Sequence, residues 1–310
     1  MKRLIACFAT FVVALGTVFA QDLAAVTEMY NAGAEAYAAD NKESALKAFE
    51  DVLPLALALG EEGKDIAEKC KTFIPSIKVS LAKGLAKEAK FDEAIAILQE
   101  AKKLAAEYED FSVEDEAGKL IPQLMISKGD ALRTNKQYDE ASAVYQEVLV
   151  NDPNNGAVAL RLGVALKGAG KLNEAKEAFE KAAANGQASA NQQLGTIYLT
   201  EATAALNAKK DAEAIAAAVK AGEYMETDGR VWRIAGTAAQ RSGKNNDAIK
   251  FFEKFLEVAP NDTNAGAIAY TVGALYQGAK NNAKAKEYYA KAVNDPKYGA
   301  EAKKLLDALK

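Results

Sequence analysis

Residues 229–260 read GRVWRIAGTAAQRSGKNNDAIKFFEKFLEVAP, and this stretch decides the fold. A first apolar segment contains Trp232 and Gly236, a second contains Phe252, and Pro260 follows. In both segments the apolar residues recur at helical spacing. Glycine lets another backbone approach closely, aromatic side chains fill the space between packed helices, and proline ends a helix. The stretch therefore predicts two antiparallel α-helices joined by a short turn.

This pattern resembles the tetratricopeptide repeat, which has a large residue and a Leu-Gly or Ala-Gly pair on its first helix, Ala-x-x-x-Phe on its second, and a closing proline. The same register recurs along the chain and yields seven candidate units. Their second helices are centred on Ala45, Ala94, Ala141, Ala175, Ala214, Ala248 and Ala285. The resemblance implies an all-α fold, a right-handed α-solenoid of antiparallel helix pairs that forms a superhelix.

The composition agrees with an all-helical chain, because alanine supplies 66 of the 310 residues and proline only 6. The steps between the seven alanines are 49, 47, 34, 39, 34 and 37 residues, whereas the family period is 34. We therefore predict divergent repeats with longer helices in residues 21–121 and regular repeats in residues 122–297. An all-α bundle without a true repeat is the alternative for the first third. Residues 298–310 are predicted to form a capping helix.

The first twenty residues predict a secretory signal peptide. Lys2 and Arg3 precede an uncharged stretch, and Val18 and Ala20 supply small residues before a cleavage point at Gln21. An uncleaved signal anchor and, through Cys7, a lipoprotein anchor are the alternatives. The prediction is an exported protein, periplasmic or secreted, without stable membrane insertion after cleavage.

The sequence contains no histidine, so a Ser-His-Asp triad and a histidine metal site are excluded. After signal cleavage Cys70 is the single cysteine, and we expect a buried, small apolar side chain there. Carboxylate pairs such as Glu61-Glu62 lie in predicted surface turns. With 39 basic and 43 acidic residues, the chain has no charge signature of a nucleic-acid-binding protein. We predict a protein that is not an enzyme and uses neither a metal nor a cofactor.

The resemblance implies that partners bind a concave groove lined by the first helices. The side chains expected to face this groove are Tyr30, Tyr37, Lys83, Arg133, Leu160, Arg161, Lys167, Arg230, Arg233, Arg241 and Tyr270, with Asp130 among them. This set is rich in Arg and Tyr, which anchor many interfaces, and it is net positive. A protein or peptide partner with an acidic segment is therefore predicted, and the oligomeric state stays open.

The predicted function is an exported scaffold that mediates protein–protein interactions through a mildly basic groove. The alternative is a subunit of an envelope assembly or secretion machine that binds its substrates or cell-wall material.

Overall fold

The computed structural model describes residues 23–309, and the predicted signal peptide of residues 1–20 lies outside them. Over the described part the chain forms fifteen α-helices, one short 3-10 turn at Gly60–Glu62 and no β-strand. The helices are α1 Leu23–Ala38, α2 Lys42–Ala58, α3 Lys64–Lys87, α4 Phe91–Glu107, α5 Phe111–Thr134, α6 Tyr138–Asn151, α7 Gly156–Gly168, α8 Leu172–Ala184, α9 Ala188–Asn207, α10 Asp211–Tyr224, α11 Gly229–Arg241, α12 Asn245–Val258, α13 Ala265–Gly278, α14 Asn282–Ala292 and α15 Gly299–Ala308.

Helices α1 to α14 form seven pairs, each consisting of an odd-numbered first helix and an even-numbered second helix. The seven predicted alanines lie one in each second helix, and all of them are fully buried. Most helices that follow one another in the chain pack against each other, among them α1/α2, α2/α3, α3/α4 and the consecutive helices from α6 to α15, as in an α-solenoid. The predicted all-α solenoid of helix pairs is therefore confirmed.

The chain divides into two compact units between Lys128 and Gly129, a point that lies within α5. In the N-terminal unit one apolar cluster contains Phe49, Cys70 and Ile77, and a second surrounds Leu98. Cys70 is fully buried, as the sequence suggested, and burial raises the pKa of its thiol to about 11. The predicted boundary at residues 121/122 stays a prediction.

A constant spacing of sixteen residues joins each first helix to its second helix. In five pairs a glycine on the first helix lies against an aromatic ring on the second: Gly33 and Phe49, Gly129 and Tyr145, Gly163 and Phe179, Gly236 and Phe252, Gly273 and Tyr289. The other two pairs carry Ala82 with Leu98 and Ala202 with Ala218 at the same spacing, and these four side chains are fully buried. A large residue therefore faces a glycine, and a smaller one faces an alanine.

The turn inside each pair is also repeated. Every first helix is followed by a residue with φ between 58° and 78°, and these residues are Asp40, Ala89, Lys136, Gly170, Lys209, Gly243 and Lys280. The next backbone amide donates to a carbonyl five residues earlier, at 2.9 to 3.0 Å, which is the Schellman closure of a helix. The second helix begins at once, so the acidic residues that predicted its start lie in its first turn.

Three prolines lie inside helices, Pro54 in α2, Pro75 in α3 and Pro122 in α5, although the sequence suggested only that breakers are few. At the C-terminal end, α15 packs on α14 through Ala302, Leu305 and Leu306, which confirms the predicted capping helix.

Candidate protein-interaction face

In the N-terminal unit the three predicted groove residues differ in solvent exposure and in their contacts with other side chains. Tyr30 is half-buried, with its ring centroid 5.5 Å from that of Phe49, so it contributes mainly to the core. Tyr37 is 42% exposed. Lys83 is exposed and its ammonium lies 2.6 Å from a carboxylate oxygen of Glu116. Among the three, Tyr37 presents the most accessible uncharged surface.

In the C-terminal unit, the carboxylate of Asp130 on α5 contacts two of the predicted groove arginines. Its carboxylate accepts a hydrogen bond from Arg161 Nε on α7 at 3.2 Å and lies 3.6 Å from an Arg133 nitrogen. It also accepts from the hydroxyl of the buried Tyr145 at 2.8 Å. Arg161 therefore connects two first helices, and much of its positive charge is offset by Asp130.

Two more predicted residues connect neighbouring first helices. Lys167 of α7 donates to Gln193 Oε1 of α9 at 3.1 Å. Arg241 of α11 donates to the carbonyl of Leu206 at the end of α9 at 2.8 Å and pairs with Asp211. These contacts show that α5, α7, α9 and α11 lie side by side, as the repeat geometry requires. The side-chain nitrogens of Lys167 and Arg241 therefore donate to groups within the protein.

Helix α11 presents the most open part of this face. Arg230 and Arg233 are exposed, and so are Thr237 and Gln240 further along the helix. The sequence analysis omitted Thr237 and Gln240, although their spacing from Arg233 places them on the same side of a helix. Arg233 has no ion-pair partner among residues 23–309. Of the predicted groove arginines, Arg233 is therefore the one without an ion pair in the described part of the chain. The pKa of the Asp262 carboxyl is lowered by hydrogen bonds and, to a smaller extent, by the Arg233 charge.

Arg230 is held in place by Asp228, the residue that caps the start of α11. The guanidinium donates to both carboxylate oxygens, at 2.6 to 3.1 Å, and the Arg230 backbone amide donates to Oδ1 at 3.0 Å. The hydrogen bonds from Arg230 lower the pKa of the Asp228 carboxyl below its ordinary value. The arginine side chain is still 64% exposed, so its position is defined while much of it faces solvent.

The two uncharged predicted groove residues of this unit are Leu160 and Tyr270. Leu160 of α7 is half-buried. Tyr270 of α13 stacks on Tyr298, the residue before α15, with ring centroids 4.9 Å apart and planes inclined by 14°. The segment before the capping helix thus covers part of the face at α13. The sequence analysis assigned no such contact to residue 298.

Within residues 23–309, no helix has both the length and the apolar character that a bilayer crossing needs. Over the same residues, His, Cys, Asp and Glu side chains form no group of three or more that could hold a metal ion.

Comparison with known proteins agrees with the repeat. Two models described as tetratricopeptide repeat match residues 132–196 and 230–262. Among solved structures, one titled "Crystal structure of MamA" is 25% identical over 56% of this chain and 96% of that chain, with a TM-score of 0.32. A second, titled "Crystal structure of YrrB: a TPR protein with an unusual peptide-binding site", is 23% identical over 63% of this chain and 97% of that chain, with a TM-score of 0.34. No curated protein matches the chain.

The second matched segment coincides with α11 and α12, and the first extends from the end of α5 to the middle of α9. The sixteen-residue spacing and the Schellman turn continue through all seven helix pairs. Residues 132–196 and 230–262 of the chain are therefore tetratricopeptide repeats.

Proposed function

We propose that this protein is an exported, non-enzymatic scaffold that binds an acidic protein segment on the first-helix face of its C-terminal unit. Tetratricopeptide repeats serve protein–protein interaction, and that role follows from the fold. The finer proposal depends on α11. Arg230, Arg233, Thr237 and Gln240 are exposed on this helix, and among the described residues the side chains of Arg233 and Gln240 donate no hydrogen bond.

The charge and geometry of α11 favour carboxylates in the partner. A guanidinium can donate two parallel hydrogen bonds to one carboxylate, which gives both strength and direction. Arg230 is already oriented by Asp228, so binding would cost it less side-chain freedom. Arg161 and Arg241 are engaged with Asp130 and Asp211, and we assign them the task of holding the first helices in register.

Fluorescence anisotropy with labelled ten-residue peptides tests the proposal. Peptides rich in Asp and Glu should bind more tightly than basic or neutral peptides, and salt should weaken the binding. The double variant Arg230→Glu/Arg233→Glu should reduce the affinity for acidic peptides by about tenfold or more, because two attractive charges become repulsive.

The matched control reverses two exposed lysines on second helices, Lys181→Glu/Lys220→Glu. It changes the net charge equally and should leave the affinity within about twofold if the contact is local. Equal effects of the two double variants, or no preference for acidic peptides, would contradict the proposal.

The export proposal rests on residues 1–20 and has its own test. Expression of the full chain in a Gram-negative host, followed by fractionation and N-terminal sequencing, should find a periplasmic protein that begins at Gln21. A cytoplasmic protein that retains residues 1–20 would contradict it.

A further inference from the structure

A cleft of about 940 Å³ lies on the side of the C-terminal unit formed by second helices. Its walls are α12 and α14, and the loops after these two helices lie together at one end of it. The floor is the start of α13, where Ala265, Gly266 and Ala269 are too small to fill the space. The volume is within the range of pockets that hold small ligands or a few residues of peptide.

One wall of the cleft is fixed by a carboxylate shared between helices. Glu253 Oε1 of α12 accepts hydrogen bonds from the hydroxyls of Tyr276 on α13 and Tyr288 on α14, both at 2.8 Å. Tyr288 is only 6% exposed, and the ammonium of Lys291 lies 4.3 Å from its ring centroid. These contacts connect three helices, so the cleft is formed before anything binds.

The other carboxylates that line the cleft also have donors within the protein. Asp262 accepts from the backbone amide of Asn264 at 2.8 Å, and Asp295 accepts from two backbone amides in the segment after α14, at 2.8 and 2.9 Å. Glu257 lies 3.1 Å from the ammonium of Lys254. The acceptors of the cleft are therefore largely engaged.

The lysines of the cleft have donors to spare. Lys250 has no ion-pair partner among the described residues. Lys284 and Lys291 share one carboxylate, that of Glu287, at 3.1 and 3.0 Å. An ammonium carries three donors, so these lysines can accept further anionic partners. Leu256 and Pro260 add apolar surface between them.

We propose that this cleft is a second binding site, separate from the first-helix face, for a short protein segment that carries carboxylates beside an apolar side chain. The apolar side chain lies against Leu256 and the small residues of the floor, and the carboxylates meet Lys250, Lys284 and Lys291. Unused donors above a preformed apolar floor are the features that argue for this ligand.

The experiment uses a labelled peptide, Asp-Glu-Bpa-Glu-Asp, in which Bpa is the photoreactive benzoylphenylalanine. After irradiation, mass spectrometry should find adducts in residues of α12 to α14 that line the cleft. The variant Lys250→Gln/Lys284→Gln/Lys291→Gln removes the three charges, keeps polar unbranched side chains, and should lower the yield of these adducts at least fivefold. Far-UV circular dichroism and the urea midpoint should stay unchanged in this variant.

The control Arg230→Glu/Arg233→Glu should leave the cleft adducts in place, which separates this site from the proposed first-helix face. Adducts confined to α11, or cleft adducts that persist in the triple glutamine variant, would overturn the second site. Vesicles of phosphatidylglycerol, tested in parallel, provide the other outcome. Binding of vesicles that needs the three lysines, without cleft adducts of the peptide, would overturn the assignment to a protein segment.

Discussion

The helix pairs α11/α12 and α9/α10 have different side chains at the two positions where the first helix meets the second. In α11/α12 the ring of Phe252 lies directly on Gly236, and both residues are buried. In α9/α10 the equivalent positions hold Ala202 and Ala218, which are also fully buried. The first pair combines a large aromatic side chain with a glycine, which has no side chain, and the second combines two small side chains. The spacing of sixteen residues is nevertheless the same in both pairs.

The comparison shows that the repeat keeps the sixteen-residue spacing between the paired positions while the residues at those positions change. A glycine allows an aromatic ring to occupy the space next to its backbone, whereas Ala202 and Ala218 are small side chains within one buried apolar cluster. The difference also appears at the surface. Beside α9/α10 lies an open cleft of about 640 Å³, and half of the residues that line it are alanines, including Ala204, Ala205 and Ala217.

The largest effect is expected when the aromatic member of a pair is removed. Phe252→Ala should lower the free energy of unfolding by about 3–5 kcal/mol, because it leaves a cavity beside Gly236. Ala218→Gly in the other pair should cost only about 1 kcal/mol, mainly through helix propensity. Urea denaturation followed by circular dichroism measures both. A loss below about 1 kcal/mol for Phe252→Ala would show that the ring does not support the pair.

The second prediction converts one kind of pair into the other. Ala218→Phe alone should destabilise the protein by about 3 kcal/mol, because the ring has no space beside Ala202. Adding Ala202→Gly should recover at least about 1 kcal/mol, although glycine is by itself unfavourable in a helix. Strict additivity of the two substitutions in the same denaturation assay would contradict the pairing rule.

A single methyl group tests the close approach itself. A Cβ at position 163 would lie 2.6 Å from ring carbons of Phe179, so Gly163→Ala should cost about 1–2 kcal/mol. Gly84 of α3 is the matched control, since a Cβ there meets nothing within 4 Å. Gly84→Ala should raise the unfolding free energy by up to about 1 kcal/mol. Equal shifts of the urea midpoint for the two variants would refute the explanation.

The smallest effect concerns the turns that all pairs share. Ala89 has φ of 60°, a conformation that a Cβ disfavours, whereas Gly170 and Gly243 occupy the same position in other pairs. Ala89→Gly should therefore stabilise the protein by about 0.5 kcal/mol. Ala96→Gly, on the exposed side of α4, should destabilise it by about 1 kcal/mol. Destabilisation by both substitutions would contradict the role assigned to the left-handed turn.

Much of the fold could be predicted because the repeat imposes local rules. The register of Ala, Gly and aromatic residues placed all seven second helices and the capping helix. The prolines at positions 54, 75 and 122 were not expected inside helices, because proline is generally a poor helix former. The repeat pattern has a proline only where a unit closes, so it did not predict these three.

The interaction face was harder to predict than the fold. Sequence spacing indicated which side chains lie on first helices, but Arg161, Lys167 and Arg241 make hydrogen bonds to neighbouring helices. Their partners are 26 to 35 residues away in the chain. The cleft between α12 and α14 had no sequence signal, since its residues come from three helices and two loops.

By itself, the sequence determined that the chain is a helical repeat and which residues lie between the helices of each pair, since both follow from spacing along one short segment. Only the tertiary structure decided which charges are free. A lysine or arginine has the same charge wherever it lies, but its availability to a partner depends on the carboxylates and carbonyls that neighbouring repeats place beside it. That is why Arg241 is engaged while Arg233 and Lys250 have no ion-pair partner among residues 23–309.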